Sequence, residues 1–153
     1  MDLPSLVLIG SDHAGFSLKE RLREFLQQEF PQINVKDCGC FDEKSVDYPD
    51  VAKTVGLEVA KEKSRRGILV CGSGIGMTMA ANKMPGIRAA QVWDTTSARL
   101  SREHNDANVV CLGARLNGLE TAFDIMRVWF RTEFQGGRHE MRVQKMGQLD
   151  HGK

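Results

Sequence analysis

Short runs rich in valine, isoleucine and leucine alternate along this chain with longer stretches in which apolar residues recur every three or four positions. The runs fall at 6–10, 33–37, 67–71, 87–92 and 107–112, and their continuous apolar character predicts strands buried on both faces. Phe16, Leu18, Leu22, Phe25 and Leu26 line one face of a first helix. Val51, Val55, Val59 and Ala60 line a second, and both helices have polar opposite faces. A third helix is expected to open within 74–77 and to close near Asn82, where Lys83-Met84-Pro85-Gly86 supplies breakers. A fourth starts near Thr96, with Asp94, Thr95 or Thr96 available as N-cap, and ends around His104. A fifth covers 119–130, and beyond Gly136-Gly137 a last helix runs from Arg138 toward Leu149, followed by a tail expected to fray. The chain shows no internal repeat or low-complexity tract.

Strands that alternate with helices predict a parallel sheet covered on both sides, an α/β fold built as a three-layer α/β/α sandwich of Rossmann-like class with five strands. At 153 residues the chain is expected to form one domain, 1–153. In such sheets ligands bind beyond the carboxyl ends of the strands, so the residues that follow each strand are the ones to inspect.

Composition narrows the function classes. Hydrophobic residues at 41% and charged residues at 27% suit a globular chain that can bury a core. The 21 Lys and Arg nearly cancel the 20 Asp and Glu, so the net charge of +1 offers no global attraction for nucleic acid or an anionic membrane. Any anion site must be local. No apolar run approaches the roughly 20 residues that span a bilayer, and no basic segment precedes the first strand, so a cytoplasmic location is expected. Cys38, Cys40, Cys71 and Cys111 read as reduced thiols, and they do not combine with the four His into a recognised zinc spacing. No metal or other cofactor is expected.

After the first strand comes Gly10-Ser11-Asp12-His13-Ala14-Gly15, a carboxylate and an imidazole at a tight turn. Asp12 there serves equally well as a helix cap or a catalytic group, and His13 beside it favours a site. After the third strand comes Cys71-Gly72-Ser73-Gly74-Ile75-Gly76, whose glycines let the backbone approach a ligand and aim helix N-terminal N–H groups at negative charge. It is neither G-x-G-x-x-G nor the Walker pattern, which weakens a nucleotide reading. A lone Cys71 would ordinarily be a small buried residue; beside this loop, the positive helix end favours a thiolate able to take a carbon-bound proton. His104 and Asn105 end the fourth helix, where the imidazole could complement the helix dipole or act as general acid-base. Arg138 and Arg142 share a helix face with His139 alongside, which suits a phosphate or a plain solvated surface. Arg115 is a further candidate.

These motifs resemble those of the type B ribose-5-phosphate isomerases within the ribose/galactose isomerase family. The likeness runs over nearly the whole chain through Ser11-Asp12-His13-Ala14-Gly15, Asp47-Tyr48-Pro49, Cys71-Gly72-Ser73-Gly74-Ile75-Gly76, Ala80-Ala81-Asn82-Lys83, Arg102-Glu103-His104-Asn105 and Gly137-Arg138-His139. The resemblance implies an aldose-ketose isomerase in which Cys71 moves the proton between C2 and C1 and His104 opens the sugar ring. Asp12 would handle hydroxyl protons, and Ser73, Gly72, Gly74 and Gly76 would hold the cis-enediolate as an oxyanion hole does. Asn105 would steady the same oxygens, and Tyr48 would line the substrate site. His13, Arg115, Arg138, His139 and Arg142 match phosphate-binding positions, some supplied by a second subunit. A homodimer is therefore implied, which could pair into a dimer of dimers, with the C-terminal helix 138–149 packed on the partner. One branch of the family has Gly at the position of Cys71 and a catalytic Glu at that of Met77; this chain has the cysteine and lacks the Glu. Ser73 stands where many cysteine-type members carry Thr and keeps the hydroxyl.

The rival readings keep or drop this chemistry. Galactose 6-phosphate, allose 6-phosphate or a four-carbon sugar phosphate could replace the pentose. A dinucleotide-dependent oxidoreductase would share the layered architecture but needs the fingerprint that is missing here. A non-catalytic sugar-phosphate sensor would keep the arginines and leave Cys71 and His104 idle.

Overall fold

All five apolar runs form strands, but only the three central ones are buried on both faces as expected; the two at the sheet edges, over 34–37 and 89–91, are half-buried or exposed because each has a neighbour on one side only. The structure is a computed structural model that describes residues 3–152. Its strands are β1 (Leu6–Ser11), β2 (Asn34–Asp37), β3 (Arg65–Cys71), β4 (Ala89–Gln91) and β5 (Val109–Gly113). Its helices are α1 (Phe16–Glu29), α2 (Tyr48–Val59), α3 (Ile75–Ala81), α4 (Thr95–Asn105), α5 (Leu119–Arg131) and α6 (Arg138–Gln148). The sheet is parallel throughout, in the order β2-β1-β3-β5-β4. The five-stranded α/β/α sandwich expected from the sequence is thus present, and among the described residues no helix is long and apolar enough to cross a membrane.

Alternation along the strands divides the core in two. Val7, Ile9, Ile68, Val70, Val110 and Leu112 pack with Leu22, Leu26, Ala98, Ile125 and Trp129 of α1, α4 and α5. Leu8, Leu69, Cys71, Val109 and Cys111 face the other way, against Val51, Val55 and Val59 of α2 and Met77 and Ala81 of α3. The order of strands makes the chain leave β1 toward one edge and β3 toward the other. The carboxyl ends of β1 and β3 are therefore the switch point at which loops diverge and leave a crevice.

Local chemistry explains the helix ends. Of the three caps available to α4, Asp94 is the one used: its Oδ1 accepts the Ser97 N–H at 2.6 Å, and Ser97 Oγ accepts the Asp94 N–H in return. Asp106 closes the same helix at φ 45°, a left-handed conformation, with Arg102 and Arg88 paired to its carboxylate. Lys19 departs from the amphipathic pattern. It is fully buried in α1, its ammonium donating to Asp37 at 2.8 Å and to the Cys40 carbonyl at 2.5 Å. The tail corrects a second expectation. Instead of fraying past Leu149, it forms a 3-10 turn over Leu149–Gly152, and the Asp150 carboxylate accepts the Gly86 N–H at 2.8 Å.

Candidate active site

Three loops that follow β1, β3 and β5 meet over the switch point and enclose a cavity of about 330 Å³. Asp12, His13 and Ala14 line it from the first loop, Cys71, Gly72, Ser73 and Gly76 from the second, Arg115 and Leu116 from the third, and Tyr48 from the start of α2.

The second loop is shaped by what its glycines permit. Gly74 has φ 80°, which an L side chain rarely adopts, and a Cβ there would lie 3.1 Å from the Leu112 carbonyl carbon. That conformation turns its N–H back to donate to Cys71 Sγ at 3.1 Å. Cys71 is buried at the end of β3, with its thiol at the start of α3 and facing the cavity wall. The sulfur therefore has a main-chain donor at the point where the loop enters α3. Gly72 leaves room for the Arg115 guanidinium, whose Nη1 lies 3.0 Å from where a Cβ would stand. Gly76 does the same for the Tyr48 ring, at 2.7 Å. Ser73 Oγ accepts the Ile75 N–H at 3.2 Å, so the hydroxyl is held at the helix entrance.

In the first loop Asp12 is not the N-cap of α1, a place that Gly15 takes. The Asp12 Oδ1 accepts the Gly15 N–H at 3.0 Å and so supports the turn into α1, while Asp12 stays buried at the cavity. His13 Nδ1 accepts the Val46 N–H at 3.3 Å, which assigns the proton of a neutral ring to Nε2 and leaves that nitrogen as a donor.

The remaining candidates form a second cluster. His104, at the end of α4, stacks on His139 of α6 with ring centroids 4.2 Å apart and planes 11° from parallel. Arg138 Nε donates to His139 Nε2 at 3.5 Å. Burial holds His139 below the ordinary histidine range, helped by His104, Arg138 and Arg142 and opposed by Glu103. Arg138 and Arg142 are exposed beside it. None of these four residues lines the cavity at Cys71, and Asn105 faces a separate cleft of about 440 Å³ with Asn82, Arg88 and Asp150. That larger cleft holds no cysteine or histidine, and its Arg88 is committed to Asp106. One chain therefore presents two separate clusters: Cys71, Asp12, Arg115 and the glycine loop in one place, His104, His139 and two arginines in another.

Sequence reasoning missed Gln91 and Val46. Gln91 Nε2 donates to the Ser73 carbonyl at 2.7 Å across the end of β5, and Val46 fixes His13 through its main chain. Neither contact leaves a signal in the sequence, because the partners are 18 and 33 positions apart. The four cysteines are free, as expected, and burial pushes the Cys111 thiol up to about 12.

The family described as Ribose/Galactose Isomerase matches residues 7–146. The chain is 42% identical over 145 residues to D-erythrulose-4-phosphate isomerase of Pectobacterium atrosepticum, covering 95% of each protein. It is 40% identical over 144 residues to ribose-5-phosphate isomerase B of Escherichia coli, covering 94% of this chain and 95% of that one. Among solved structures, ribose-5-phosphate isomerase B of Clostridium thermocellum aligns with a TM-score of 0.92 at 46% identity, over 96% of this chain and 98% of that one.

Proposed function

The chain belongs to the ribose/galactose isomerase family and is an aldose-ketose isomerase of sugar phosphates; from that premise we propose that it interconverts ribose 5-phosphate and ribulose 5-phosphate through a cis-enediolate, with Cys71 as base. The observation that carries this reading is the Cys71 thiol at the head of the glycine loop, taking the Gly74 N–H at 3.1 Å in a cavity shared with Asp12 and Arg115.

The steps follow from the chemistry of these groups. Asp12 takes the proton of the anomeric hydroxyl while His104 gives a proton to the ring oxygen, breaking the bond between C1 and that oxygen and freeing the aldehyde. The Cys71 thiolate then removes the C2 proton; the electron pair forms the C1–C2 double bond and the carbonyl electrons move onto O1. The Ser73 hydroxyl and the main-chain donors of Gly72 and Gly76, all on the cavity wall, are available to that charge as it develops, while the Gly74 N–H is bound to the Cys71 sulfur. Asp12, protonated since ring opening, gives its proton to O1 and takes that of O2; the Cys71 thiol returns its proton to C1, which leaves the ketone at C2 and the thiolate restored, and the proton left on Asp12 returns through solvent to His104. Binding energy from the phosphate, held by His13, Arg115, Arg138, His139 and Arg142, orients C1 and C2 without itself reacting. Asn105 and Tyr48 complete the sugar site.

The separation of the two clusters supports a homodimer in which His104, Asn105 and the α6 arginines serve the cavity of the partner subunit. Leu116, exposed on the cavity wall, and Ile75 and Met79, exposed on α3, supply apolar surface that such an interface would bury.

The test is turnover of ribose 5-phosphate by purified, chelator-treated protein, with six-carbon and four-carbon sugar phosphates as competitors and Cys71→Ala alongside. Conversion that falls by about 10²–10⁴-fold in Cys71→Ala supports both substrate and base. Preferred turnover of a four-carbon or six-carbon sugar phosphate keeps the mechanism and overturns the substrate; full activity in Cys71→Ala overturns the base.

A further inference from the structure

We infer that Gln91 is a positioning residue for Cys71, acting through the peptide that joins Ser73 to Gly74. The inference rests on the reading of Cys71 as base and adds the group that aims its hydrogen-bond donor.

One peptide unit carries both contacts. The Ser73 carbonyl accepts from Gln91 Nε2 at 2.7 Å, and the Gly74 N–H, on the other side of the same C–N bond, donates to Cys71 Sγ at 3.1 Å. A trans peptide is planar and its C=O and N–H point in opposite directions, so fixing the carbonyl fixes the N–H. Gln91 pulls the oxygen toward β4, which turns the hydrogen back toward β3 and the sulfur. A donor on the carbonyl also polarises the peptide and strengthens the N–H on its far side.

On either side of that peptide the chain is tied into α3, Ser73 Oγ accepting the Ile75 N–H at 3.2 Å and the Gly74 carbonyl accepting the Thr78 hydroxyl at 2.7 Å, but the peptide's own oxygen is held by Gln91 and its N–H by Cys71. Gly113, at the end of β5, lets the loop lie flat: a Cβ there would stand 2.6 Å from the Ser73 oxygen. The gap this opens is the path by which Gln91, on the far side of β5 and paired in register with Cys111, reaches across. Gln91 ends the edge strand β4, and its side chain is half-buried, directed over the strand ends rather than into either core.

The experiment measures the pH dependence of iodoacetamide labelling of Cys71, followed by the mass of its peptide, in Gln91→Met and wild type. Buried Cys111 serves as an internal unlabelled control. Loss of the clamp should raise the pH of half-maximal Cys71 labelling by about one unit and lower kcat roughly tenfold on the acid side, with KM unchanged. Gln91→Lys, which retains a donor, should bring the midpoint back toward wild type. Should Gln91→Met not fold, Gln91→Glu keeps the shape and loses the donor once ionised, and the same rise is expected. A folded Gln91→Met or Gln91→Glu with the wild-type midpoint overturns the inference, as does a Gln91→Lys midpoint no different from that of Gln91→Met. Labelling needs no turnover, so a Cys71 that proves not to be the base would show in Cys71→Ala kinetics and leave this readout separate.

Discussion

At the scale of single residues, the titration of His139 yields a sign that can be checked. Burial, then His104, Arg138 and Arg142, hold its folded-state value below 6.5, the ordinary histidine value that the unfolded chain keeps. As the pH falls through 6.5 the unfolded chain binds a proton there before the folded chain does, so stability declines toward acid. The contribution is fully present above that value and is lost as the pH drops through the lower folded one. Urea midpoints measured on either side should therefore fall in acid, and H139Q should flatten that part of the curve; parallel curves for the two proteins would assign the slope to other groups. Individual site residues were legible where strand ends and glycines coincide, which is why Asp12, Cys71 and Ser73 emerge from sequence and then share one cavity. Gln91 was illegible for the opposite reason: its partner is a main-chain oxygen in the loop after β3, a strand that is not its neighbour.

At the scale of elements, close backbone approach matters more than conformation. Gly15 has φ −93°, open to any residue, yet a Cβ there would meet the Val70 carbonyl oxygen at 2.4 Å. Backbone cannot swing aside as a side chain can, so Gly15→Ala must push α1 off β3, and a loss of about 1–3 kcal/mol is expected in denaturant melts. Because the Gly15 N–H is bound by Asp12, kcat should fall with it. Gly147, inside α6 with nothing within 4 Å, is the contrast: Gly147→Ala should stabilise by about 0.5–1 kcal/mol. Equal effects of the two substitutions would show that steric approach is not what Gly15 provides. Element positions were readable from apolar periodicity to within a few residues, most sharply for β1, β3 and β5, whose two faces are buried, and less so for the edge strands β2 and β4, which are not. The burial of Lys19 was not, because Asp37 and the Cys40 carbonyl that neutralise it come from another strand and its following loop. The turn at Leu149–Gly152 was hidden likewise, its anchor being a main-chain N–H 64 positions away.

At the scale of the whole molecule, the separation of the Cys71 and His104 clusters makes the proposed dimer testable. If His104 serves the cavity of a partner subunit, a two-fold dimer contains two sites, each with Cys71 from one chain and His104 from the other. Cys71→Ala and His104→Ala are then each inactive alone. Mixed, unfolded together and refolded, half of the dimers combine one chain of each kind, and one of their two sites pairs an intact cysteine with an intact histidine. About a quarter of wild-type specific activity should return. Were both residues to act within a single chain, every site in the mixture would carry one lesion and no activity would reappear, however the chains associate. The result is independent of which sugar phosphate is used, provided it is turned over. It also separates the two roles that sequence left open for His104. An imidazole that only complements the α4 dipole would cost stability when removed but leave a working site, and the single His104→Ala protein would then be active before any mixing.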